Sequence, residues 1–322
     1  VTTNEDTTRA GEDVPARWER TSARLDALLD GAAVRPGNGT GVTAADRARL
    51  EAALADHRAA PPDDDGPTVR ETLTAPSRAR IRDLLLGGKD HYAVDRLAAA
   101  ELATAWPDIA HAAAELRAAV HAAARHAVGV LGVRQVLVTD YGYPTASTSG
   151  PDLHTTVHHA SPSATVVYLE PDPVAAATLR AYAERPARPG HGAVAVVRAD
   201  LAADPGAAFA RAVGDGGLDP GRPVCVLLPE ALARSGDPGR IARLLAHVLA
   251  PGSPLLAAAP PDLPHVRHAA EAAARHLLPF HPRTTAELRG LLTDAGLTCP
   301  EHDPLRPGGA CAVAARTPDG DG

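Results

Sequence analysis

The sequence predicts an α/β protein built on a doubly wound, mostly parallel sheet. Three observations predict it. From residue 106 onward, short runs rich in β-branched residues alternate with longer stretches of helical periodicity. The short runs are apolar throughout rather than apolar at every second position, the pattern of strands covered on both faces. Aromatic residues make up 3% of the chain against 45% hydrophobic residues, so the core is packed from Ala, Val and Leu.

Taken in order, a long amphipathic helix is predicted over about 107–128. Strands follow at 135–138, 164–169, 193–197, 223–228 and 254–258. Helices at 173–184, 204–213, 237–249, 264–278 and 284–295 fall between or after them, as the crossovers of a parallel sheet require. Asp172 is the expected N-cap of the second helix, with Pro173 in its first turn. Two late strands, 297–299 and 310–315, bring the sheet to seven.

Ahead of the sheet lies a different composition. Residues 1–75 carry 14 acids and nine arginines, and the stretch Ala59 to Pro67, with three consecutive aspartates, reads as a solvated linker. Two helices are predicted before it, over about 16–30 and 44–57. The expected division is an acidic helical extension with linker at 1–67, a folded domain at 68–317 and a disordered tail at 318–322. Ser22 to Gly31 echoes Ala79 to Gly87, either as a decayed copy or as coincidence in a chain rich in Ala, Arg and Leu.

Composition excludes several classes. The formal net charge is −7, and no basic footprint for nucleic acid is present. No apolar run reaches the length of a membrane span. Cys225, Cys299 and Cys311 are odd in number and far apart, which suits reduced thiols in a cytoplasmic protein better than a disulfide or zinc framework. His154, His158 and His159, and His265 with His268, recur at helical spacing. Without H-E-x-x-H they are expected on solvated helix faces rather than around a metal. A G-x-S-x-G elbow is absent too, which removes a common hydrolase signature. A small molecule is the expected partner.

In a doubly wound sheet, ligands bind beyond the carboxyl ends of the strands, at the switch point beside the first strand. The loop there runs from Thr139 to Thr145 and has a single glycine, Gly142, where backbone can approach a ligand; an ordinary turn would look the same. Glu170 ends the second strand, where a carboxylate can accept both hydrogen bonds of a ribose diol. Asp200 ends the third and is either an acceptor for an adenine amino group or a turn cap. The pair Gly87-Gly88 reads, on residues alone, as a helix C-terminus with Gly87 as its cap and Lys89 facing the dipole.

The segment Leu85-Leu86-Gly87-Gly88-Lys89-Asp90-His91-Tyr92 resembles the L-L-G-G-K-D-N-[FY] motif of an actinobacterial S-adenosyl methyltransferase family, with His91 for the Asn. Further matches follow in order at Gly132 to Gln135, Pro144-Thr145, Leu153-His154, Val166 to Pro173, Ala199-Asp200-Leu201, Leu249 to Ser253 and Pro282 to Thr284 with Glu287. The resemblance covers about residues 74–317. It implies a seven-stranded Rossmann-like methyltransferase sheet, S-adenosylmethionine as cofactor, and a cofactor site formed by Gly87, Gly88, Lys89, Asp90, Tyr92, Asp140, Gly142, Thr145, Glu170, Asp200 and Leu201. Lys89 would meet a carboxylate and Tyr92 would stack on a ring.

The departures gather around that site. Against the family's D-x-G-x-G-x-P-T loop, this chain has Val138 for the acid and Asp140 for the first glycine. Aspartate can occupy the left-handed region at a cost on the order of 1 kcal/mol. Its charge would either pair the ammonium of the cofactor or repel the adjacent carboxylate. Pro171 replaces an Asn, and Ala233 stands where a His is common. The expected function is methyl transfer from S-adenosylmethionine to a small molecule, with no dedicated catalytic residue. A non-catalytic relative that binds a metabolite or a protein is the alternative. A nicotinamide-dependent oxidoreductase is weaker, because G-x-G-x-x-G is missing.

Overall fold

The computed structural model describes residues 75–144, 151–183, 190–300 and 311–318. Three helices come first: α1 (Arg78–Leu85), α2 (Ala93–Ala105) and α3 (Ile109–Gly129). Then follow β1 (Gln135–Thr139), α4 (Leu153–Ala160), β2 (Thr165–Leu169), α5 (Pro173–Ala183), β3 (Val194–Val197), α6 (Pro205–Gly214) and β4 (Cys225–Leu228). After these come α7 (Ala231–Arg234), α8 (Pro238–Val248), β5 (Pro254–Ala259), α9 (Pro264–Arg275), α10 (Thr285–Asp294) and β6 (Cys311–Arg316).

The sheet order is β3-β2-β1-β4-β5-β6. The first five strands are parallel, and β6 pairs antiparallel with β5. The order reverses at β1, between β2 and β4, which places the switch point there. Register puts successive residues on opposite faces. Leu137, Val167, Val226 and Leu255 face one core with Phe209, Ile241 and Leu288. Val136, Val166, Leu227 and Leu256 face the other with Val120, Ala124 and Val157. Burial on both faces is the reason the strands read as unbroken apolar runs.

The strand number differs from expectation: six among the described residues. The 297–299 segment forms only an isolated antiparallel bridge, Thr298 to Arg316. Pro300 follows it closely and lacks the backbone donor that a longer ladder would need. Helix α1 is the helix that Gly87 was expected to cap, and α2 is an addition. They pack with α3 and α9 through Ile81, Leu102, Trp106, Ile109 and Val266 as a cap over one end of the sheet.

Helix ends are fixed by their own residues. Asp204, Asp237 and Thr284 each accept a backbone N–H of the first turn. Thr284 and Glu287 form a reciprocal capping box, a local role for a pair that also belongs to the family resemblance. Asp172 accepts from Val174 and Ala175 at 2.9 and 2.8 Å, the N-cap role expected of it. The two helices predicted within 1–57, the linker, the earlier copy of the echo and residues 319–322 lie outside the described residues.

Candidate functional site

At the carboxyl ends of β1 and β4 a cavity of about 130 Å³ opens beneath the helical cap. Its floor comes from Asp140 and Tyr141 after β1, Pro229 and Glu230 after β4, and Ala259 and Pro260 after β5. Helices α1, α2 and α3 and the segment after α9 supply apolar walls, among them Ile81, Leu102, Trp106, Leu116, Leu278 and Phe280.

A buried ion network borders this cavity. Asp140 sits in the left-handed region at φ 50°. Its carboxylate lies 3.1 Å from Arg234, which also pairs with Asp200. Arg82 pairs with Glu230 at 2.5 Å and donates to the Asp140 carbonyl. Buried pairs of this kind recover their desolvation cost only when most of their donors and acceptors are satisfied. The bridge between Asp140 and Asp200 falls short of that, because the Nε of Arg234 is buried without a hydrogen-bond partner.

Asp140 therefore has a protein partner, a role outside the two expected of it. Burial raises its pKa, with Arg234 pulling the other way. Glu170 is almost fully buried. It accepts from the backbone N–H of Gly142 at 2.7 Å and of Asp172 at 3.1 Å. Burial, reinforced by the nearby Asp140 charge, pushes its pKa up to about 8.

The loop after β1 keeps the turn a nucleotide loop needs. Gly142 has φ 78°, and a side chain there would point at Arg82 and at the backbone of Ala79, 3.5 and 3.7 Å away. Helix α1 thus lies directly against the loop. Its N-terminus is tied to the end of β2, since Ser77 donates its hydroxyl hydrogen to Asp172. Tyr141 is held just as firmly. Its hydroxyl accepts from Arg117 at 2.7 Å and from Leu153 N–H at 3.1 Å, so its own hydrogen goes to His121 Nε2, 3.1 Å away. Burial and the Arg117 charge depress His121 to about 4, which keeps that ring neutral and able to accept.

The segment 87–92 forms the C-terminal cap of α1. Gly87 at φ 77° donates to Leu84 O and Gly88 donates to Asp83 O, a Schellman motif. The buried Asp83 carboxylate accepts from Asp90 N–H at 2.7 Å and contacts His91. Lys89 and Asp90 are exposed at the cap. Tyr92 is 38% exposed and stacks beneath the Arg80 guanidinium, whose carbon lies 5.0 Å from the ring centre. None of residues 87–92 lines the cavity.

Asp200 serves as a turn cap, accepting from Ala202 N–H at 2.9 Å, and as the partner of Arg234. Leu201 is a core residue packed with Phe209 and Leu232. Thr145 lies outside the described residues. The expectation of solvated histidines is corrected at two positions. His158 is buried and donates from Nε2 to the Ala164 carbonyl, 3.0 Å away, and His154 bonds the Tyr168 hydroxyl at 3.1 Å. His154 thereby gives the buried Tyr168 hydroxyl a polar partner. His159, His265 and His268 are exposed.

Sequence reasoning missed Arg82, Glu230 and Arg234. The signal available was a pair of arginines on one face of α1, at 78 and 82, and an acid and a base bracketing the turn after β4.

The family model for S-adenosyl methyltransferases matches residues 68–302. The chain belongs to the S-adenosyl methyltransferase family. A proposed methyltransferase from Thermobifida fusca YX is 26% identical over 78% of this chain and 98% of its own, with a TM-score of 0.67. A DUF574-family protein from Streptomyces avermitilis MA-4680 is 25% identical over 76% of this chain and 98% of its own, with a TM-score of 0.61. No curated protein matches.

The cofactor of the S-adenosyl methyltransferase family is S-adenosylmethionine. The residues at the crevice suit it in kind: a left-handed turn at 140–142 and acids after β2 and β3. Their polar atoms are engaged within the protein, and the Nε of Arg234, which bridges Asp140 and Asp200, is buried with no hydrogen-bond partner among the described residues. No helix among the described residues is long and apolar enough to cross a membrane.

Proposed function

We propose that this protein methylates a small molecule held in the apolar cavity, using S-adenosylmethionine. The observation that carries the reading is adjacency. Asp140 and Tyr141 belong both to the loop at the switch point and to the cavity floor, so a molecule in the cavity abuts the crevice. The cofactor, when bound, supplies an electrophilic methyl carbon. The protein's part is placement and exclusion of water. Gly142 and the left-handed Asp140 shape the turn, Glu170 would take the ribose and Asp200 the adenine. Residues 87–92 would brace the cap. Tyr141, with every hydrogen bond made, is a rigid wall between crevice and cavity.

Calorimetry with S-adenosylmethionine and with its demethylated product tests this. Both are expected to bind the parent protein. Arg234→Ala is expected to tighten binding by about 3- to 30-fold, because Asp200 no longer has to be freed from a partner. Looser binding in Arg234→Ala would assign Arg234 to cofactor contact instead of competition.

A second reading, a non-catalytic relative, is favoured by one set of observations. Glu170 and Asp200 are both spent on protein partners, and α1 lies against Gly142. Absence of binding heat for both ligands in parent and Arg234→Ala would select it.

A further inference from the structure

The cavity wall holds more positive charge than negative. It carries the guanidinium groups of Arg78, Arg82, Arg117 and Arg234 against the carboxylates of Asp140 and Glu230. Three of the four cations are committed. Arg82 has Glu230, Arg117 has the Tyr141 hydroxyl, and Arg234 has Asp140 and Asp200. Arg78 is different. Among the described residues it has no carboxylate within ion-pair distance, and its hydrogen bond goes to the Pro279 carbonyl, 2.5 Å away.

The guanidinium of Arg78 offers five donors, so most are left for another acceptor. Burial lowers its pKa. Glu230 and Asp140 attract it only through space, while Arg234 and Arg82 repel it. An anion beside Arg78 would meet this unbalanced charge, and a carboxylate matches the planar fork in two parallel hydrogen bonds.

The remaining wall sets the rest of the ligand. Ile81, Leu102, Trp106 and Phe280 are apolar or aromatic, and offer a ring contact without a polar demand. A dry cavity of roughly 150 Å³ takes up one benzene ring, and this one measures about 130 Å³.

We propose that the cavity binds a single-ring carboxylic acid, with the ring among Ile81, Leu102, Trp106 and Phe280 and the carboxylate on Arg78. The inference rests on the cavity being the small-molecule site of the proposed function, and the binding itself requires no cofactor.

Trp106 lies in the wall and is one of two tryptophans, the other being Trp18. In a full-length Trp18→Phe background its emission reports cavity occupancy. Phenylacetate is expected to change that emission saturably, and neutral 2-phenylethanol to bind at least 10-fold more weakly. Arg78→Gln, which removes the charge and keeps a polar amide, should weaken phenylacetate about 10- to 100-fold and leave 2-phenylethanol unchanged. Arg78→Lys keeps the charge without the fork and should fall between.

Equal affinity for acid and alcohol in the parent overturns the proposal, as does no saturable response to the acid. So does unchanged acid affinity in a folded Arg78→Gln. If that variant does not fold, Arg78→Lys and the acid-to-alcohol ratio in the parent decide. Cofactor calorimetry on the same protein separates the two readings. Acid binding without cofactor binding removes methyl transfer and keeps the acid site, and the reverse result does the opposite.

Discussion

Glu170 shows how one side chain can carry two meanings. Its place at the end of β2 is where a ribose would be held, yet both oxygens accept backbone hydrogen bonds from within the protein. Burial and Asp140 raise its pKa from 4.5 to about 8, so the folded protein holds a proton that the unfolded chain releases above 4.5. The sign follows: this contribution to stability is full below pH 4.5 and is lost as pH rises through 8. Urea unfolding at pH 5, 6.5 and 8 should show stability falling on the order of 1 kcal/mol per pH unit across that window. In Glu170→Gln the slope should flatten. A parent and variant with parallel profiles would mean that Glu170 stays ionised when folded. Asp140 was legible as an intruder in a glycine position, but its partner was not, because Arg234 is 94 residues away in the chain.

At the scale of elements, α1 and its cap decide how the cavity is closed. The Gly87-Gly88 pair reads locally as a helix end, and the structure shows why two glycines are needed. Gly87 takes the positive φ. Gly88 is required by space, since a Cβ there would lie 1.8 Å from the buried Asp83 carboxylate. Gly88→Ala is therefore expected to destabilise the protein by about 1–3 kcal/mol through overpacking. Gly290 in α10 has open space around it and helical backbone, and Gly290→Ala should stabilise by about 0.5–1 kcal/mol. Thermal unfolding of the two variants should move in opposite directions. A neutral Gly88→Ala would show that Asp83 can turn away without loss. The buried Asp95 completes the clasp, accepting from Ser77 N–H, Tyr92 N–H and Arg80 Nε. Its carboxylate joins the start of α1 to the start of α2, which the spacing of the motif could not reveal.

For the whole molecule, the described residues of the two cores that cover the sheet and of the cap above it run from 79 to 315. Because the Pro- and Asp-rich stretch from Ala59 to Pro67 reads as a linker, we expect a protein beginning at Thr68 to unfold cooperatively with a melting temperature close to that of the full chain. A shift of more than about 5 °C, about 1–2.5 kcal/mol for a domain of this size, would show that residues 1–67 contribute to the folded core. Differential scanning calorimetry of the two proteins is the measurement.

The sequence by itself determined the order of strands and helices, the coverage of the sheet on both faces, and the position of the switch-point loop. These follow from periodicity and from turn chemistry, which act over a few residues. It also marked Asp172 and Gly87 as caps, because a cap is satisfied by its immediate neighbours. Only the tertiary structure decided which charges meet. Arg82 with Glu230, Arg234 with Asp140 and Asp200, and α1 against Gly142 are contacts between distant segments. The seventh strand failed for a related reason: a strand needs a partner in register as well as a suitable run of residues, and 297–299 meets Arg316 at one bridge only.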